Sequence, residues 1–143
     1  MTMTGRPGAT KLGDSSREAG VEYRLIRNGV VRDVRKGRLG REDVCDAHPE
    51  LLRAARNVGK PRNERCPICE EADTVEVTYV FGARLPPGGL CPGSARELNR
   101  LRRRIEPVVC FDVEVCPECA WHHLTRKYPA GGRREGQRTG RAL

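Results

Sequence analysis

The sequence predicts an α+β fold in which two N-terminal helices precede two antiparallel strands, with a third helix inserted between the strands. Residues 74–81 and 108–115 alternate between apolar and polar side chains, as strands do when one face is buried. Residues 20–36, 49–59 and 94–106 instead space their apolar side chains at helical intervals. The chain of 143 residues has the length of one domain, and only 37% of it is hydrophobic, so we expect a small core.

The sequence marks the ends of the two N-terminal helices. Gly37 suits the position just after the first helix, because glycine readily takes the left-handed conformation there. Pro49 suits the first position of the second helix, and Gly59 ends it. The predicted apolar faces are Tyr23, Ile26, Val30 and Val34 in the first helix, and Leu51, Leu52, Ala55 and Val58 in the second.

The inserted helix and the two strands also have predicted inward faces. Ser94 and Glu97 form a capping box that opens the helix, and Pro107 ends it. The inward residues of this helix are predicted to be Leu98, Leu101 and Ile105. Those of the strands are predicted to be Val75, Val77, Tyr79 and Phe81 in the first, and Val109, Phe111, Val113 and Val115 in the second.

Both ends of the chain are polar and rich in glycine. Residues 1–18 and 130–143 contain too few apolar side chains to form a core, so we predict disordered tails around a single domain at 19–129. The N-terminus lacks the apolar segment of a secretory signal, and no apolar run approaches the ~18 residues of a membrane span. We therefore expect a cytoplasmic protein with no membrane partner.

Two Cys-Pro-x-Cys motifs bracket the predicted strands. One precedes the first strand at 66–69, and the other follows the second strand at 116–119. Because the start of one antiparallel strand lies beside the end of its neighbour, pairing brings all four cysteines to one end of the hairpin. Four thiolates can surround one zinc ion tetrahedrally. The sequence therefore predicts a zinc-ribbon-like sheet with one structural Zn²⁺ held by Cys66, Cys69, Cys116 and Cys119.

Several residues near these motifs leave alternatives open. A redox dithiol and unligated core thiols are the alternatives for the cysteine pairs. Against a redox role, neither motif opens a helix between strands, as a redox Cys-x-x-Cys does. Trp121 either covers the metal or stacks on a nucleic-acid base. Glu70 and Ala120 occupy positions where many metal-binding turns have glycine. The remaining candidate thiols and ligands are Cys45, Cys91, Cys110, His122 and His123.

Basic residues are concentrated in two segments. Of a formal net charge of +8, residues 96–104 contribute +4 and residues 126–143 contribute +5, so the rest of the chain is close to neutral. This distribution favours a polyanionic partner, namely RNA, DNA or a nucleoprotein complex. A solvated basic surface is the alternative. The predicted nucleic-acid contacts are Arg100, Arg102, Arg103, Arg104, Arg126 and Lys127.

No catalytic motif is evident. The sequence has no glycine-rich phosphate loop, no nucleophile elbow and no His-Glu-x-x-His, and a zinc ion with four cysteine ligands has no open position for a substrate. We expect a non-enzymatic accessory module that binds nucleic acid or a nucleoprotein complex. The alternatives are a protein–protein adaptor with incidental basic charge and, less well supported, a thiol oxidoreductase.

Four segments resemble a family of small actinobacterial proteins of unknown function. They are VCDAHPELLRAA at 44–55, CPIC at 66–69, VTYVFG at 77–82 and VEVCPECAWHHL at 113–124. The resemblance spans roughly residues 20–128. It implies that the paired cysteines and the helices before them form one unit, and it implies no activity. Cys91 and the Pro-Pro-Gly-Gly loop near it lie outside the pattern, and the arginine-rich helix varies within it.

Overall fold

One antiparallel sheet of five strands organises residues 20–132, the part of the chain that this computed structural model describes. In chain order the elements are β1 (Val21–Glu22), α1 (Arg24–Arg35), α2 (Arg41–Val44), α3 (Pro49–Val58), β2 (Lys60–Arg65), β3 (Asp73–Gly82), α4 (Ala95–Arg102), β4 (Pro107–Val115) and β5 (His122–Gly131). The strand order in the sheet is β1-β5-β4-β3-β2. The predicted α+β class is confirmed.

The predicted hairpin is the centre of this sheet. Val75 pairs with Val115 at one end of β3 and β4, and Gly82 pairs with Val108 at the other. The connection that contains α4 leaves from the Gly82 end, so the cysteine motifs lie together at the opposite end. Within the described residues, no helix is long and apolar enough to span a membrane.

Three of the strands, β1, β2 and β5, were not predicted. β5 contains charged residues and Pro129, and it becomes a strand because its whole length pairs with β4. Proline is tolerated there because β1 covers β5 only at Arg126 and Lys127, so among residues 20–132 no strand pairs with the outer side of Pro129. β5 continues to Gly131, two residues beyond the predicted domain end at 129. The predicted tail at 1–18 lies outside the described residues. The predicted tail at 130–143 does so from residue 133 onward.

The α3 helix matches its predicted bounds, whereas α1 begins only at Arg24, after β1, and α4 ends at Arg102 instead of residue 106. Two predicted inward residues are also corrected. In α3, Pro49 is the first residue, Gly59 follows the last, and Ala55 is buried, as predicted. In α1 the buried residue is Val31, whereas Ile26 is 60% exposed, because the helix contacts the protein mainly near the cysteines. Ile105 is 66% exposed, because α4 ends at Arg102 before reaching it.

The more buried face of the sheet is the one that alternation did not predict. Val108, Cys110, Asp112 and Glu114 of β4 are at most 2% exposed, whereas the predicted inward residues Val109, Phe111 and Val113 are only half-buried. We call the first set, with Val80 of β3 and Tyr128 of β5, the covered face. Leu98 and Leu101 of α4 pack against its apolar end. Its two acidic side chains are tolerated because each has hydrogen-bond partners, as described below.

The opposite side, the open face, is covered at one end only. There α3 packs against Val77 and Val115 through Ala55, Leu51 and Leu52. The rest forms an open groove of about 1210 Å³. Its floor consists of Tyr79, Phe81, Val109, Phe111, Val113 and Leu124.

Candidate metal centre

Four cysteine sulfurs converge at the end of the β3–β4 hairpin. The sulfur atoms of Cys66, Cys69, Cys116 and Cys119 all lie within 4.8 Å of one another. The Sγ–Sγ distance is 3.7 Å between Cys66 and Cys119 and 3.8 Å between Cys69 and Cys116. Cys66 and Cys116 are fully buried, while Cys69 and Cys119 are half-buried. This cluster, which the sequence predicted in full, could hold a metal ion.

The two Cys-Pro-x-Cys segments form turns with the same hydrogen bonds. The amide of Glu70 donates to the carbonyl of Cys66 at 3.0 Å, and the amide of Ala120 donates to that of Cys116 at 2.9 Å. Backbone amides also point at sulfur: Ile68 N lies 3.4 Å from Cys66 Sγ, and Cys119 N lies 3.5 Å from Cys116 Sγ. Such donors stabilise thiolates, the form in which cysteine binds a metal.

Both turns need a left-handed residue directly after the second cysteine. Glu70 has φ 60° and Ala120 has φ 73°, a conformation that usually favours glycine. The sequence prediction that these positions suit glycine is therefore confirmed. A side chain in this conformation costs roughly 1 kcal/mol, and it persists here because the turn hydrogen bonds require it.

The thiol pKa values show why these side chains need a cation. Burial raises the pKa of Cys116 to about 11, and burial together with the neighbouring Cys45 and Cys66 raises that of Cys119 as well. For Cys69, burial acts in the same direction, but the amides of Glu71 and Ala72 lower its pKa overall. Without a positive ion, the thiols of Cys116 and Cys119 would hold their protons at neutral pH. Binding a metal must therefore release protons.

A fifth sulfur lies against the cluster. Cys45, the residue that ends α2, places its sulfur 3.4 Å from Cys119 Sγ, a contact that nothing in the sequence indicated. The amide of Ala47 donates to the carbonyl of Ala120 at 3.0 Å and so fixes this segment to the second turn. The Arg41 guanidinium also lies here; burial acts to lower its pKa, but the nearby sulfurs of Cys45 and Cys119 raise it overall.

A buried carboxylate supports the centre from the covered face. Glu114 is fully buried and accepts hydrogen bonds from Arg27 Nε and Nη2, each at 2.9 Å, and from Trp121 Nε1 at 3.1 Å. Arg62 Nη1 lies 3.1 Å from the same carboxylate, without hydrogen-bond alignment. Glu114 thus ties α1 to β4 and to Trp121, which is itself fully buried against Cys66 and Cys116. Trp121 therefore covers the cysteine cluster, which is one of the two roles predicted for it.

Arginines of two helices hold the cysteine turns from outside. Arg35 of α1 donates to the carbonyl of Pro67 at 3.3 Å, and Arg56 of α3 donates to that of Pro117 at 3.2 Å. Each contact joins a helix to the proline of one motif. The helices before the paired cysteines are therefore packed with them, as the resemblance implied.

The remaining candidate ligands have other partners. His122 Nε2 lies 3.0 Å from Asp46 Oδ1, and His123 Nδ1 lies 2.7 Å from the carbonyl of Leu124. Cys110 is buried on the covered face, and Cys91 packs near α3, with burial raising its thiol pKa. None of these four belongs to the cysteine cluster of the described residues.

The predicted nucleic-acid contacts are spread over more than one surface. Arg100 and Arg103 are exposed on and just after α4. Arg102 and Arg126 lie over the ring of Tyr128, at 5.5 and 5.7 Å from its centre. Two of the six are elsewhere: Arg104 donates to the carbonyl of Ala83 at 2.8 Å, and Lys127 lies over Phe111 on the open face.

The fold and the site define a class: an α+β protein with one four-cysteine cluster at the end of an antiparallel sheet. The chain belongs to the family of unknown function DUF5318, whose model matches residues 15–142. Its relatives include the uncharacterized proteins Rv0049 of Mycobacterium tuberculosis (strain H37Rv) and Mb0050 of Mycobacterium bovis. Each is 42% identical over 117 residues, which cover 80% of this chain and 83% of the relative. These comparisons confirm the predicted actinobacterial family. No solved structure matches the chain.

Proposed function

We propose that this chain is a non-enzymatic binding module whose fold is held by one structural zinc ion. The sulfur spacing carries the proposal. Four sulfurs placed tetrahedrally at ~2.3 Å from one zinc ion stand ~3.8 Å apart, and two distances within the cluster, Cys66 to Cys119 and Cys69 to Cys116, are 3.7 and 3.8 Å. A shell of four thiolates is typical of structural zinc and leaves no open position for water or substrate. The cytosol, which keeps such thiols reduced, is the compartment we propose.

Elemental analysis of the purified protein tests the zinc proposal. We expect about one zinc ion per chain and a melting temperature that falls when a chelator removes it. Metal-free protein that still unfolds cooperatively at the same temperature would refute it.

The partner that the geometry favours is another protein. The floor of the groove on the open face is apolar, and an apolar surface of this extent marks a protein-binding site more often than a solvated one. Its rim carries Lys127 on one side and Glu50 on the other, so it offers a polyanion no excess of positive charge. An apolar or aromatic segment of a partner chain is the occupant we propose.

Nucleic acid remains the second candidate, and exposed arginines support it. Arg100 and Arg103 are exposed, and like charges this close repel unless something offsets them. The other four predicted contacts are partly engaged within the protein or lie on the open face. A phosphate-binding surface among the described residues therefore centres on the outer side of α4.

Two matched variants distinguish the candidates. Val109→Asp places a charge in the groove without touching the buried clusters, and Arg100→Gln with Arg103→Gln removes charge from α4. We expect the Val109 variant to lose a nuclease-resistant protein partner that the arginine variant keeps. Salt-sensitive binding to RNA or DNA that only the arginine variant loses would favour the nucleic-acid candidate instead.

A further inference from the structure

The contact between Cys45 and Cys119 has no role in a four-cysteine zinc shell. Cys45 Sγ lies 3.4 Å from Cys119 Sγ, closer than the 3.7 Å that separates Cys66 from Cys119 within the cluster. Yet Cys45 is not one of the residues whose sulfurs all lie within 4.8 Å of one another. It therefore touches one prospective ligand from outside the shell.

We propose that Cys45 and Cys119 form an oxidation-sensitive pair, in which a disulfide between them withdraws one ligand from the metal. The proposal rests on the zinc shell proposed above. Its substrate class is a hydroperoxide, and its product is an intramolecular disulfide.

The geometry suits this chemistry. Cys45 and Cys119 are half-buried residues and so are more accessible to a small oxidant than Cys66 and Cys116, which are fully buried. A disulfide needs the sulfurs to close to ~2.05 Å, a movement of little more than one ångström. Cys45 directly follows α2, a helix of only four residues. Two residues further on, the amide of Ala47 is already hydrogen-bonded to the carbonyl of Ala120, the residue after Cys119.

The reaction is balanced in two steps. The Cys45 sulfur attacks one peroxide oxygen, so that an S–O bond forms, the O–O bond breaks, and the leaving oxygen takes a proton to become water or an alcohol. The Cys119 sulfur then attacks Cys45, so that the S–S bond forms and the S–O bond breaks, with the oxygen leaving as water. Cys45 and Cys119 together lose two electrons, which the peroxide accepts; because zinc-bound Cys119 is a thiolate, the protons for the two leaving oxygens come from the Cys45 thiol and from solvent.

Formation of this disulfide would reduce the number of zinc ligands from four to three. A sulfur in a disulfide carries no negative charge and no longer binds zinc as a thiolate does. Only Cys66, Cys69 and Cys116 would remain as ligands. Since structural zinc binding is coupled to folding, the ion becomes easier to lose and the cysteine turns are weakened.

Peroxide-driven zinc release from the zinc-loaded protein tests the proposal. Hydrogen peroxide is added, release is followed with a chromogenic chelator, and disulfides are mapped by mass spectrometry of peptides. We expect the first disulfide to join Cys45 to Cys119. We also expect Cys45→Ser to slow zinc release roughly tenfold. Cys91→Ser is the matched control, because Cys91 is also half-buried but packs near α3, and we expect it to behave as the natural chain does.

The outcomes separate this proposal from the zinc proposal. Protein without zinc overturns both. Zinc-loaded protein whose release is equally fast in the Cys45→Ser variant overturns only the oxidation-sensitive pair. A first disulfide within either motif, such as Cys116 to Cys119, does the same. If Cys45→Ser fails to bind zinc, the order of disulfides in the natural chain decides the question alone.

Discussion

Replacing Glu114 with glutamine tests whether the buried carboxylate holds α1 and Trp121 to the metal end of the sheet. Glutamine keeps the shape of the side chain but removes its charge. In the natural protein, Glu114 is fully buried and faces Arg27 and Arg62, whose side chains are only 19% and 22% exposed. The variant would leave the Arg27 guanidinium without its carboxylate partner, and Arg62 would keep only Glu64, 2.9 Å from its Nη2.

The magnitude follows from that burial. Removing one partner from a buried ion pair costs about 3–5 kcal/mol, and a glutamine oxygen can still accept one hydrogen bond. We therefore expect the lower end, a loss of about 3 kcal/mol in the free energy of unfolding, or roughly 10 °C in melting temperature. Glu50→Gln is the control, because its ion pair with Arg53 at 2.7 Å is exposed, and we expect less than about 1 kcal/mol.

Denaturant unfolding at one fixed zinc concentration measures this difference, since free metal shifts apparent stability. The protein has one tryptophan, so emission from Trp121 reports directly on the neighbourhood of Glu114. Equal stability of the Glu114 and Glu50 variants, with unchanged tryptophan emission, would refute the reasoning. Burial opposes ionisation of Glu114, but Arg27, Trp121 and Arg62 together lower its pKa. Its stabilisation is therefore present at neutral pH and is lost as the pH falls through that lowered value.

Three further predictions concern the metal centre. Cys116→Ser should lose the metal while Cys91→Ser keeps it, as elemental analysis would show; full metal content in the Cys116 variant would exclude it as a ligand. Because burial raises the pKa of Cys116 to about 11, its proton must be displaced by the metal, and zinc affinity should fall about tenfold for each unit by which the pH is lowered, per displaced proton. A chelator competition with no pH dependence would contradict this. Ala120→Gly should raise the free energy of unfolding by about 0.5–1 kcal/mol by relieving the positive φ. Ala54→Gly inside α3 should instead lower it by ~1 kcal/mol, and a loss in both would show that Ala120 is unstrained.

The metal centre was predictable because its determinants are local and its register is simple. Each Cys-Pro-x-Cys motif determines its own turn. The two alternating stretches predict two antiparallel strands, which places the start of one beside the end of the other. Even the left-handed residues at 70 and 120 could be located, since their position within the turn is set by the motif.

The contacts around the centre could not be predicted, since they join residues far apart in sequence. Arg27 meets Glu114 across 87 positions, and Cys45 meets Cys119 across 74. Alternation misassigned the faces of β4 for the same reason. Asp112 and Glu114 look like solvent positions until their partners are known, and those partners are Thr78 at 2.7 Å and Arg27 at 2.9 Å. A charged residue within a strongly apolar strand is the feature that could have indicated them.

The distribution of the buried clusters assigns different roles to the two ends of the molecule. Val80, Val108 and Tyr128 pack with α4 at one end, with no contribution from the four-cysteine cluster. At the other end, the buried cluster consists of Cys66, Cys116, Trp121 and Val31, so half of its buried side chains belong to the four-cysteine cluster. The open face spans the sheet between these ends, so any partner bound there rests on strands whose far ends meet at that cluster.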